Sequence, residues 1–235
     1  MKVGKTSSKT ATRGFAAMLG IGFGLWIATN IALADFRSDD DRNKDDRDKL
    51  EQITPQWWQW AMSIPAPQNP LNDANCVIGQ RGSVWFLGGR TFSGTSTRNC
   101  SIPAGTTLFF PVINQIGYNS PGCGQGPENI SAKEFRKAIG DFIGSVRLAD
   151  LSVELDSKSI KDFERVRSEV FAIALPEEPN IAFCPKGIYS PAVDDGYYVK
   201  LEPLKIGPHK LRIRVTAPFS IDVTYNLTVV RVSDK

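Results

Sequence analysis

Past residue 50 the chain is a series of short apolar runs bounded by turn residues. Runs at 84–87, 108–113, 151–155 and 166–175 have the length and the Val, Ile, Leu and Phe content of β-strands. Gly88-Gly89 and Pro103-Ala104-Gly105 supply turns between the early ones. Later, Asp194-Asp195-Gly196 reads as a turn leading into a strand at 197–201, and Gly207-Pro208 leads into Leu211, Ile213 and Val215. Phe219, Ile221, Val223, Tyr225, Leu227 and Val229 carry the same period of two through a long final strand. Such alternation gives each strand one buried and one solvated face.

Two segments have helical spacing instead. Ser131 and Glu134 form a capping box ahead of Phe135, Ala138, Ile139, Phe142 and Ile143, which predicts a helix over about 131–144 lying on a face or end of the sheets. Thr54 followed by Pro55 starts a short helix over about 55–62 that carries Trp57, Trp58 and Trp60. Trp57, Trp60 and Ala61 share a face, whereas Trp58 stands about 100° from Trp57, so at least one indole is left at the rim. Many short strands with regular turns and one packed α-helix predict a mainly β fold, a β-sandwich or jelly-roll, in a single domain over 50–235.

The first 34 residues differ from the rest. Lys2, Lys5, Lys9 and Arg13 precede an uncharged apolar stretch that ends in Ala32-Leu33-Ala34, the layout of a secretory signal with cleavage after Ala34. Left uncleaved, the same stretch is just long enough to anchor the chain in a membrane. Either way the rest lies outside the cytoplasm, secreted or periplasmic. Residues 35–49 hold seven aspartates and five basic residues with Phe36 as the one large apolar group, which reads as a disordered, solvated tether.

Charge and cysteines refine this picture. The whole-chain net charge of +3, less the four basic residues of the leader, leaves −1, so the domain carries no electrostatic footprint for nucleic acid or anionic membrane. Cys76, Cys100, Cys123 and Cys184 all fall in the exported part, and an even count there reads as two disulfides. Three pairings are possible; Cys76 with Cys100 and Cys123 with Cys184 is favoured, because the first pair brackets one strand and its return. No two cysteines have C-x-x-C spacing and the single histidine, His209, is distant, so neither a metal nor any other cofactor is expected.

The block Trp57-Trp58-Gln59-Trp60-Ala61-Met62-Ser63-Ile64-Pro65, with Asn69-Pro70, the 79–87 and 109–114 segments and 222–229, resembles a group of exported bacterial proteins of unassigned activity. The resemblance spans the whole mature domain and implies bacterial export, and it brings no reaction, cofactor or catalytic residue with it.

Little in the chain points to catalysis. With His209 in a turn and no G-x-S-x-G elbow, a serine triad has no parts. Glycoside hydrolysis needs only a carboxylate pair, and Asp73, Glu128, Asp194, Asp195 and Asp222 are available for one, which keeps a carbohydrate-active hydrolase as the alternative. The leading expectation is a non-catalytic binding or cell-envelope interaction module for extracellular carbohydrate or protein. Rings for stacking and amides for hydroxyl groups are what such recognition requires, with Trp58, Trp85, Asn69, Asp73, Gln80 and Asn114 as candidates and core packing as the competing use of the tryptophans. A purely structural envelope protein is the third reading.

Overall fold

The computed structural model describes residues 39–73 and 75–231. The signal expected over 1–34 and the start of the charged segment lie outside the described residues.

The described chain is a mainly β sandwich with two helices. The first sheet holds β1 (Val84–Phe86), β3 (Thr107–Tyr118), β8 (Gly187–Leu201) and β6 (Glu164–Arg167) in that order, with β7 (Phe171–Leu175) also pairing with β8. In the second sheet the order is β2 (Gly94–Pro103), β10 (Ile221–Val230), β9 (Gly207–Val215), β4 (Leu151–Leu155) and β5 (Lys158–Ile160). β1 runs parallel to β3 and β2 parallel to β10; the other pairs are antiparallel. The facing sides share one core, to which Leu87, Phe110 and Val199 contribute from the first sheet and Ile102, Val153, Leu211, Ile213, Val223 and Leu227 from the second.

The outer face of the first sheet is covered by α1 (Asp39–Met62), making a third layer. Leu50, Trp57, Trp60 and Ala61 of the helix pack there on Phe86, Phe109, Val166 and Tyr198. This helix is far longer than the 55–62 segment the sequence predicts. Thr54 is wholly buried rather than a cap, and Pro55 lies inside the helix. The missed signal is the spacing Leu50, Thr54, Trp57, Ala61, which is one helical face continuing upstream of the proline. Packing of that face outweighs the hydrogen bond Pro55 cannot make. Once the packed half is fixed, each further residue adds to a helix without a new nucleation step, so the backbone stays helical out to Asp39 through a segment read as a tether.

α2 (Ala132–Ser145) matches the capping-box expectation: the Ser131 side chain accepts from the Glu134 amide, and the Glu134 side chain accepts from the Ser131 amide. It sits on β3 and β8 at a place made possible by Gly117, where a Cβ would come within 2.8 Å of Phe135. Phe142 of α2 stacks on Phe219, in the turn between β9 and β10. Ser131→Ala is expected to lower stability by about 1 kcal/mol, read as a shift in the thermal midpoint, because the Glu134 amide of the first turn loses its side-chain acceptor.

Both disulfides, Cys76–Cys100 and Cys123–Cys184, have the favoured pairing. They suit an oxidising compartment. No described helix is long and apolar enough to cross a membrane.

The run at 166–175 is two strands, β6 and β7, and Asp194-Asp195-Gly196 is no turn but the middle of β8, a strand of 15 residues. The turn-like composition is overridden because both carboxylates find partners inside the fold. Gly196 marks close strand approach, since a Cβ there would meet Asn114 at 2.6 Å.

Candidate functional site

The six residues singled out from the sequence do not form one surface. Asn69 is fully buried: its amide nitrogen donates to the Ala61 and Ile64 carbonyls at 2.7 and 3.1 Å, and its oxygen accepts from the Leu71 amide at 3.0 Å. Gln80 replaces a missing strand beside β1, accepting from the Phe86 amide at 2.8 Å and donating to the Phe86 carbonyl at 2.7 Å. Trp85 is buried in the core between the sheets. The hydrogen-bonding capacity of these amides is spent on the fold.

Asp73 belongs to a charged node at the edge of the second sheet. It accepts from the Arg98 Nε at 3.0 Å, from Arg90 at 2.5 Å and from the Ser96 hydroxyl. Burial pushes the Asp73 carboxyl up, but the hydrogen bonds from Ser96 and Arg98 and the nearby guanidinium charges outweigh it and hold the group below its usual range. Ser96 and Arg98 point inward from β2, so that strand has polar residues on both faces.

Trp58 and Asn114 do converge, on a residue read as part of a turn. The Trp58 indole donates to Asp194 Oδ1 at 2.8 Å, the Tyr198 hydroxyl donates to the same oxygen at 2.6 Å, and Asn114 donates to the Tyr198 oxygen at 3.1 Å. Thr54 of α1 turns its hydroxyl toward this carboxyl at a geometry short of a hydrogen bond, and Asp194 Oδ2 meets no donor at hydrogen-bond geometry among the described residues. Complete burial raises the Asp194 carboxyl to about 7 against the opposing pull of those hydrogen bonds. Asp194, Gly196 and Tyr198 share the α1 side of β8, and this period-two relation was the signal available in the sequence.

Asp195 faces the other way, toward α2. Arg165 grips it with two hydrogen bonds of 2.9 and 2.8 Å and also donates to the Gly140 carbonyl, while the Arg167 Nε reaches it at 3.1 Å. Asp194 and Asp195 alternate to opposite faces of β8; both border the cleft beside α2, but Asp194 is fully buried and the Asp195 carboxyl is held by two arginines. Asp73 and Asp222 are engaged by arginines, Asp222 by two bonds of 2.8 and 2.6 Å from Arg212. Glu128 lies exposed in the loop before α2, and none of Asp73, Asp194, Asp195 and Asp222 gains geometric support as a member of a hydrolytic pair.

Three depressions among the described residues offer room for a ligand, one of them, of about 370 Å³, lined by Tyr118, Ser120, Gln125 and Phe135 beside the Cys123–Cys184 disulfide. A groove of about 640 Å³ runs between α1 and the 79–86 segment, with Trp60 and Phe86 at its base and Gln56, Gln59, Arg81 and Ser83 on its walls. A smaller cleft of about 290 Å³ lies between α2 and the β6–β8 pair, where Arg136, Lys137, Asp141, Arg167, Asp194 and Asp195 line it.

No protein-family model matches the chain, and no curated protein matches it. A solved structure, the solution structure of amebosin, is similar at 12% identity over 63% of this chain and 100% of that one, with a TM-score of 0.21. A likeness at that level carries no argument about fold or function.

Proposed function

We propose that this chain is an exported, non-catalytic binding module of the bacterial cell envelope that takes a hydroxyl-rich ligand, a carbohydrate chain, in the groove between α1 and the 79–86 segment. The observation that carries this reading is the composition of the groove: aromatic rings at the base, amide, hydroxyl and guanidinium groups on the walls, and no carboxylate among the lining residues. Amides and hydroxyls exchange hydrogen bonds with sugar hydroxyls, whereas a hydrolytic site needs an acid at hand. The two disulfides fit an extracytoplasmic site of action.

Titration of the purified, unreduced protein with soluble polysaccharides and peptidoglycan fragments, followed by tryptophan fluorescence with products monitored by mass spectrometry, tests the proposal. A saturable spectral change is expected, since Trp60 lines the groove, with no product released. Arg81→Ala is expected to weaken binding about tenfold, the loss of one charge-assisted hydrogen bond. Released products would replace the binding reading with the hydrolase, and a flat titration across the panel would leave a structural role.

A further inference from the structure

We propose that the cleft between α2 and the β6–β8 pair is a second binding site, built for a small oxyanion (carboxylate, sulfate or phosphate) held by Arg136 and Arg167. Four cations stand in or behind this cleft, Arg136, Lys137, Arg165 and Arg167, against the carboxylates of Asp141 and Asp195. Lys137 and Asp141 neutralise each other at 2.6 Å. Asp195 alone then faces two guanidiniums, and Arg136 has no ion pair among the described residues. Asp194, the remaining acid of the lining, is fully buried and carries little charge below neutral pH.

Geometry makes this surplus usable. The Asp195 side chain is only 3% exposed and is fixed by the two-bond grip of Arg165, so it forms a rigid post. Arg167 hangs on that post by its Nε, and both terminal nitrogens of its guanidinium, with no hydrogen bond among the described residues, are placed to take the two oxygens of an oxyanion. Across the cleft, Arg136 projects from α2 and is half-buried rather than fully solvated. A partly desolvated guanidinium with no counter-ion gains more from an anion than a surface lysine does, because less water has to be displaced from it. Gly140 lines the cleft between Arg136 and Asp195, and its carbonyl accepts from Arg165 at 2.8 Å. The volume suits a group the size of a small acid or one anionic substituent of a larger molecule, not a polymer.

The site is separate from the groove beside α1, and the two fail independently: neutral polysaccharides test the groove, and inorganic anions test the cleft. The experiment is a titration of the isotope-labelled protein with sodium sulfate, phosphate and citrate, each at ionic strength matched with sodium chloride, reading the backbone amides of Gly140 and Arg167 and the Arg167 Nε–H by NMR. Saturable shifts are expected for at least one oxyanion and none for chloride, the three salts showing which oxyanion chemistry is preferred. Arg136→Ala is expected to weaken the response about tenfold. Arg136→Lys should recover part of it, and Lys133→Ala, exposed on α2 outside the cleft, should leave it unchanged. Shifts that track ionic strength alike in all four salts would overturn the proposal, as would an unchanged affinity in both Arg136→Ala and Arg136→Gln with the fold intact by the same spectra.

Discussion

Raising the pH from 5 to 8 is expected to destabilise this protein by about 3 kcal/mol through one side chain, Asp194. The unfolded chain releases that proton near pH 3.8, while the native state holds it up to about 7, because the carboxyl is entirely enclosed between α1 and β8. Between those two values the native state binds more protons than the unfolded one, so stability falls as pH rises and levels off above about 7. The carboxyls held low by arginines, Asp73 and Asp222, contribute above the carboxylate range and are already in place at pH 5. His209, whose imidazole is raised by the Asp156 carboxylate, adds a smaller loss of the same sign as it deprotonates, and a His209→Gln background removes it. Urea unfolding at pH 5, 6, 7 and 8 reads the slope. Asp194→Asn keeps an oxygen for the Trp58 and Tyr198 donors and should flatten the curve, leaving the variant the more stable protein at pH 8. An undiminished slope in Asp194→Asn would show that the burial of this carboxyl is not its source.

Arg98→Met is expected to cost about 3 to 5 kcal/mol, the largest single-residue effect of the second sheet. The guanidinium is 4% exposed and uses all three nitrogens: Nε on Asp73, Nη1 on the Gly88 carbonyl at 3.0 Å and the Tyr225 hydroxyl at 2.6 Å, and Nη2 on the Leu71 carbonyl at 3.2 Å. It also lies 5.4 Å from the centre of the Tyr225 ring. Methionine fills much of the volume but leaves two buried carbonyls with fewer donors and Asp73 with one cation instead of two. Tyr225→Phe, which takes away one hydroxyl, should cost about 1 to 2 kcal/mol, and adding it to Arg98→Met should cost less than the sum because the pair shares a bond. Chemical unfolding of the two single variants and the double variant measures this. A loss below 1 kcal/mol for Arg98→Met would mean that the neighbouring loop relaxes to satisfy its own carbonyls.

The same two residues explain how far the sequence could be read. Where burial follows apolar periodicity, as in the alternation of β9 and β10 or the capping box of α2, local pattern and tertiary structure agree and the fold class is legible. β2 escaped notice because its inward positions include Ser96 and Arg98, which are tolerable inside only when Asp73, far from them in sequence, comes to meet them. Only the end of β8, 197–201, is legible for the same reason: nothing near Asp194 and Asp195 in the chain foretells Trp58, Arg165 and Arg167. The site was less legible than the fold. Asn69 and Gln80 look like ligand-binding amides until their partners prove to be backbone groups, and Arg136 and Arg167 look like ordinary surface charge until α2 is laid beside β6.

The parallel pairing of β2 with β10 sets an order of assembly. Asn99 and Asn226 hydrogen-bond side by side although 127 positions apart, and β2 has no other neighbour in its sheet. Every strand of the first sheet has been made once Leu201 has, whereas the second sheet cannot join its two ends before Val230. Contacts of such long range form late, since the loop between them must close before they reward it. A chain emerging amino end first therefore completes one layer early and carries β2 unpaired, with Arg98 unanswered by Tyr225, until the carboxyl-terminal hairpin arrives to lock the sandwich.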